Sequence, residues 1–130
     1  MKKLKFTPEL LRAVIEGRKT QTRRIIRNFI PCLERNAEFC RIRKCENECK
    51  PKYFGGEICQ IDETHLVEIT DVRCERVKDI RPHECVSEGI DPAYILLYKA
   101  FSKLFDSIYG SGTWQSNPYV WVYEFRLLKE

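Results

Sequence analysis

Eight consecutive residues, Gly17-Arg18-Lys19-Thr20-Gln21-Thr22-Arg23-Arg24, form the densest polar cluster of the sequence. They bring together four cationic side chains, two hydroxyls and one amide behind a glycine that permits a sharp turn. Arginine offers a planar donor fork, lysine a compact charge, and threonine a group that both donates and accepts. At a helix-to-strand corner such a set can converge on an anionic or carbonyl-bearing ligand. A lysine buried there can lose its proton and act as base or nucleophile. In a regular strand Lys19 and Thr22 face opposite ways, so a site using both requires a bend between Gly17 and Lys19. The competing reading is a basic strand exposed to water.

A second cluster carries metal-binding potential. Cys32, Cys40, Cys45 and Cys49 crowd into one polar stretch, and the last two gaps let paired thiolates reach one tetrahedral Zn²⁺. With little apolar periodicity, this stretch would draw its order from a metal and not from a core. It contains no CxxC pair, so unliganded surface thiols are the alternative. Seven cysteines, an odd number, argue against a disulfide framework. Cys59, Cys74 and Cys85 fall in patterned segments and read as packed thiols.

The elements that position these groups follow from periodicity and punctuation. Lys3 to Phe6 predicts a short strand. Thr7, Pro8 and Glu9 then open a helix as side-chain cap, first-turn proline and dipole partner. Leu10, Leu11, Val14 and Ile15 give it a buried face, and Gly17 ends it. The stretch from Arg18 to Arg24, leading into Ile25 and Ile26, predicts a strand after a tight turn, followed by the Cys-rich insert at about 28–52. Further strands are expected over Glu57 to Ile61, Leu66 to Val77 and Tyr119 to Leu128, the last apolar on both faces at its start. A short helix over Pro82 to Glu88 stops at Gly89. A second runs from Asp91-Pro92 to about Tyr109, with Ile95, Tyr98, Phe101, Phe105 and Ile108 as its inward stripe.

The whole is 130 residues, 43% hydrophobic and 32% charged, which predicts one domain with a core. The apolar runs are too short to span a bilayer, and charged residues interrupt the opening that would otherwise resemble a leader. A soluble cytoplasmic protein without membrane partners is the expectation. Charge is uneven: residues 1–52 hold 15 Lys and Arg against 6 acids, residues 53–130 hold 8 against 13. A basic first half suits a phosphate-bearing partner. Among the aromatics, Trp114 sits in a Gly-Ser-Gly-Thr-Trp loop and is the expected exposed stacking surface, whereas Tyr119, Trp121 and Tyr123 read as core.

The stretch from Ala13 to Arg24 resembles the signature of the ASCH family, whose members have a PUA-like β-barrel. The resemblance extends through Gly56-Glu57-Ile58, Leu66 to Val72 and Ser87-Glu88-Gly89. It continues over Phe105 to Gly110 and Trp114 to Phe125, where Asn117 to Val122 is similar to small ASCH proteins of phages and prophages. It implies an α+β fold, a small PUA-like β-barrel with flanking helices, over one domain spanning 1–130.

The resemblance also implies two functions. One is binding of RNA or a small nucleoside-like ligand in the groove beside the signature, through Arg18, Lys19, Gln21, Arg23, Arg24 and Trp114. The other is hydrolysis of N4-acetylcytidine, in which Lys19 and Thr22 match a catalytic lysine and threonine and Arg24 a nearby arginine. Glu88 is the best match for the catalytic acid, with Glu84 as the fallback. The insert departs from the compact enzymes. A third reading makes the insert a zinc-stabilised docking element, with Cys32, Cys40, Cys45 and Cys49 as ligands. Oligomeric state is open.

Overall fold

The computed structural model describes residues 1–26 and 51–128. The four insert cysteines lie outside the described residues. Five strands form one sheet: β1 (Lys2–Lys3), β2 (Gln21–Ile25), β3 (Ile58–Gln60), β4 (Leu66–Arg76) and β5 (Tyr119–Leu127). Their order is β1-β3-β4-β5-β2, with β1 parallel to β3 and every other pair antiparallel. Among the described residues there are four α-helices, α1 (Pro8–Ile15), α2 (Pro82–Ser87), α3 (Leu97–Tyr109) and α4 (Thr113–Ser116), and one 3-10 turn at Val77–Asp79.

Strand β5 organises the core because side chains alternate across a strand. Trp121, Tyr123 and Phe125 enter one cluster with Leu4, Val14, Cys59, Val67 and Ile69. Val120 and Val122 enter a second with Val77, Ile80, Cys85, Phe101 and Phe105. Both faces are therefore covered, as its doubly apolar sequence demands. Opposite it, β4 carries a bulge: Ile69 pairs with Phe125 and Asp71 with Glu124, leaving Thr70 as the extra residue. A bulge sharpens local twist, and the sheet curls into a half-barrel. Among the described residues β1 and β2 remain its two edges, so the barrel is half-closed.

Four local expectations need correction. Thr7 makes no side-chain cap bond; its carbonyl accepts from Leu11 N–H at 2.8 Å and starts α1 through the backbone. The first strand is Lys2–Lys3 only, so Phe6 is released to pack elsewhere. Helix α3 begins at Leu97, because the Asp91 carboxylate accepts from Ala93 N–H at 2.9 Å and closes a turn instead of a helix. Its inward stripe is accordingly rotated. Phe101 and Phe105 are buried with Leu97, Leu104 and Tyr109 beside them, whereas Ile95 is 95% exposed and Tyr98 and Ile108 are exposed.

Among the described residues no helix is long and apolar enough to cross a membrane. Cys59 and Cys85 are buried, and burial pushes the Cys85 thiol up to about 11.

Candidate functional site

The corner after α1 does what the GRKTQTRR segment requires. Gly17 adopts φ +81°, and the N–H groups of both Arg18 and Lys19 donate to the Ala13 carbonyl at 2.9 and 3.1 Å. This left-handed stop folds the chain back before β2 begins at Gln21. Lys19 therefore sits ahead of the strand's alternation, and its side chain lines the same pocket as Thr22.

Lys19 is 2% exposed. Its Nζ donates to the Gln21 carbonyl at 2.7 Å, the Glu88 carbonyl at 2.9 Å and Glu88 Oε1 at 3.2 Å. All three ammonium protons are thus accounted for. Burial lowers the lysine pKa from its usual 10.5, with Glu88 pulling the other way and Arg24 and Arg23 adding to the fall. Glu88 caps the end of α2, ahead of Gly89 at φ +109°. A Cβ on Gly89 would stand 3.4 Å from Leu10 Cδ2 and 3.7 Å from Lys19 Cβ, so the contact is tolerable but the backbone conformation is not. Gly89→Ala should cost about 1–2 kcal/mol, read as a lower urea midpoint with an unchanged slope. A wild-type midpoint would contradict this.

Behind the pocket lies a buried ionic network. Arg23 Nη1 donates to Gln21 Oε1 at 2.9 Å and Glu88 Oε2 at 3.0 Å, and Nη2 to Glu75 Oε1 and Glu84 Oε2, both at 3.0 Å. Arg73 reaches Glu84, Glu75 and Glu124, and Gln21 Nε2 donates to Glu124 Oε1 at 2.7 Å. Burial works against ionisation of Glu84, yet its carboxyl lies below the usual 4.5. The Arg81 N–H and the Arg23 and Arg73 guanidiniums outweigh the desolvation. Arg23 Nε is buried and has no partner among the described residues.

The pocket itself opens between α1, β2 and α3. Lys5, Phe6, Thr7, Leu10, Lys19, Thr22, Arg23, Arg24 and Glu88 form its polar side and mouth, and Phe101, Leu104, Phe105, Ile108 and Tyr109 its apolar wall. Its volume is about 100 Å³, room for about seven to ten waters at ~10–15 Å³ each or for one planar group. Arg24 Nε donates to Thr22 Oγ1 at 3.3 Å, and its Nη2 to the Lys5 carbonyl at 2.8 Å. The Phe6 ring lies 5.6 Å from Lys19 Nζ and 5.7 Å from Arg24 Cζ.

The structure thus gathers Lys19, Thr22, Arg24 and Glu88 at one pocket. Glu84, the alternative acid, bonds Arg23 and Arg73 and is not among the pocket's lining residues. Gln21 is buried and spent on Glu124 and Arg23. Arg18 is exposed, pairs with Glu16 at 3.3 Å and stands outside the pocket. Trp114 corrects a further expectation: it is half-buried on α4, packs edge-on against Phe101 at 5.8 Å and does not line the pocket. Sequence reasoning missed the Arg73–Glu75 pair on β4 and the wall supplied by α3. The i, i+2 spacing of Arg73 and Glu75 on one strand face was the available signal. Among the described residues no group of three or more His, Cys, Asp or Glu side chains could hold a metal ion.

No protein-family model matches the chain, and no curated protein matches it. Solved structures do. Protein EF3133 from Enterococcus faecalis V583, of family model DUF984, superposes with a TM-score of 0.61 at 13% identity over 98% of this chain and 80% of that one. The hypothetical protein PH0355 gives 0.60 at 13% identity, over 98% of this chain and 100% of its own. An ASCH domain from Lactobacillus crispatus JV V101 gives 0.55 at 13% identity, over 91% of this chain and 69% of that one. A curled half-barrel with helices on both faces, carrying its polar corner where α1 meets β2, has the fold of an ASCH domain.

Proposed function

We propose that the chain binds a nucleoside-like ligand in this pocket and hydrolyses an exocyclic amide on it, with N4-acetylcytidine as the substrate type. The observation that carries the reading is the buried Lys19–Glu88 pair at 3.2 Å on the wall of a pocket that Thr22 also lines. Buried titratable pairs facing a cleft are where proton-transfer groups are found. The same geometry weakens the alternative of an extended RNA footprint. Of the four cations in the signature, Lys19 and Arg23 are turned into carboxylates and Arg18 is paired with Glu16.

Roles follow from what each group is already bonded to. Both Glu88 oxygens accept from cations, Oε1 from Lys19 and Oε2 from Arg23, which makes Glu88 the anchor of both side chains. Lys19, desolvated, is the group that gives up a proton more easily than usual and in its neutral form takes one. Thr22, whose Oγ1 accepts from Arg24 Nε at 3.3 Å and keeps its own proton to give, is assigned as the nucleophile. Its Oγ bonds the acetyl carbon while its proton passes to Lys19; Lys19 returns that proton to the ring-bound nitrogen as the C–N bond breaks, and cytidine leaves. Water then attacks the acetyl ester, Lys19 carries its proton back to Thr22 Oγ, and acetic acid is released.

Thr22 is tested by two substitutions. Thr22→Ser, which keeps the hydroxyl, should retain turnover within about tenfold, and Thr22→Val should lose about 10³-fold in kcat. Equal activity in Thr22→Val and wild type would remove the nucleophile. No turnover of N4-acetylcytidine by the wild type, together with tight and steeply salt-dependent RNA binding, would replace the hydrolase reading with RNA binding.

A further inference from the structure

We infer that Arg24 and Lys5 form a phosphate-binding mouth to the pocket, so that the ligand is a nucleotide bearing a phosphomonoester and not a free nucleoside. The inference rests on the reading of a nucleoside-like ligand given above and specifies its class. It starts from an imbalance among the signature cations. Lys19 and Arg23 have carboxylate partners, and even exposed Arg18 has Glu16. Arg24 has none among the described residues. It is half-buried and is held by neutral groups only: the Lys5 carbonyl at 2.8 Å, Thr22 Oγ1 at 3.3 Å and the Phe6 ring face.

A guanidinium fixed in this way has given up most of its rotamer freedom before any ligand arrives, and its Nη1 has no partner among the described residues. Lys5, exposed and without a charged partner among the described residues, lines the same mouth. Thr7, whose hydroxyl caps nothing, lies beside it. Among the described residues Glu88 is the one carboxylate on the pocket's lining, and Lys19 and Arg23 already neutralise it. The mouth therefore keeps the charge of Arg24 without a carboxylate partner among the described residues, and Lys5, which also borders a second cleft with Asp62 and Glu63, adds to it; this matches a dianionic phosphomonoester better than a neutral ribose. The aromatic and aliphatic wall from α3 is left for the base.

Calorimetric titration of the full chain with cytidine 5′-monophosphate and with cytidine tests this. The monophosphate should bind at least about tenfold tighter, a single charge-assisted pair being worth that much, with the advantage shrinking as salt rises. Arg24→Gln should bring the two affinities within about twofold. Lys5→Ala, at an exposed position that leaves the backbone carbonyl in place, should give an intermediate ratio and covers the case in which the Arg24 variant does not fold. Equal affinities in the wild type, no binding of either compound, or a ratio that neither substitution moves would overturn the inference. Failure here is distinguishable from failure of the hydrolase. Selective binding of the monophosphate with no hydrolysis of any acetylated cytidine sinks the hydrolase alone. Hydrolysis of N4-acetylcytidine that is no faster on its 5′-phosphate sinks the phosphate mouth alone.

Discussion

Lys19→Ala should abolish turnover of N4-acetylcytidine, lowering kcat by about 10³-fold or more, because it removes the group that carries the proton in both half-reactions. Lys19→Arg should be nearly as inactive. A guanidinium stays protonated at any pH the protein tolerates, so it keeps the charge and loses the chemistry. If Lys19 served only as a fixed positive charge, the arginine variant would instead retain substantial activity. The pH dependence sharpens the distinction. Lys19 must be neutral to accept a proton from Thr22, so the rate should rise with pH, with a midpoint below the usual lysine value of 10.5 because burial disfavours the ammonium.

Stability carries the same sign. The folded protein holds the Lys19 proton less tightly than the unfolded chain does. The penalty is therefore present at low pH and fades as pH rises through the folded value toward 10.5. Relative to Lys19→Ala, the wild type should gain stability over that window. A flat difference would show that the lysine is not strained by its burial.

The second large effect concerns folding. Arg23→Met should destabilise the protein by about 3–5 kcal/mol, a fall in Tm of more than about 10 °C for a domain of this size. The side chain of Arg23 is fully buried and joins Glu75, Glu84 and Glu88, which would lose their shared cation and be left with Arg73 for Glu75 and Glu84 and Lys19 for Glu88. The attribution to charge, and not to lost volume, is checked by a double variant. Adding Glu84→Gln removes one carboxylate from a network short of a cation and should recover part of the loss, so the two substitutions should be clearly less than additive. Strict additivity would mean that the network is not coupled. Because Arg23 also orients Glu88, any Arg23 variant that still folds should lose kcat more than it alters KM.

How much of this was legible in the sequence varies with how local the cause is. The α1 stop at Gly17 and the strands β4 and β5 are fixed by local punctuation and by period-two patterning, and they appear within a residue or two of expectation. The joining of Lys19, Thr22 and Glu88 at one pocket was legible through the family resemblance, since 69 residues separate Lys19 from Glu88. What failed was local chemistry with two outlets. Asp91-Pro92 opens a helix or closes a turn with the same side-chain bond, and here it closes a turn, which rotated the stripe on α3. Trp114 followed a glycine-rich loop in sequence, but Phe101 offered its ring a buried edge.

The charge split was also misleading about the signature. Composition counts Arg23 as a cation available to phosphate, and only the fold reveals that β4 and α2 bring three glutamates to it. A basic sequence segment became, on folding, mostly the inner half of ion pairs. Of the signature's cations, Arg24 is the one that lines the pocket without a carboxylate partner among the described residues, with Lys5 beside it.

The most direct measurement is incubation of the purified chain with N4-acetylcytidine, following cytidine by chromatography beside the Lys19→Ala protein. Cytidine formed by the wild type and absent with the variant is the result this account predicts. Substrate recovered unchanged from the wild type, or cytidine released equally by both proteins, would contradict it.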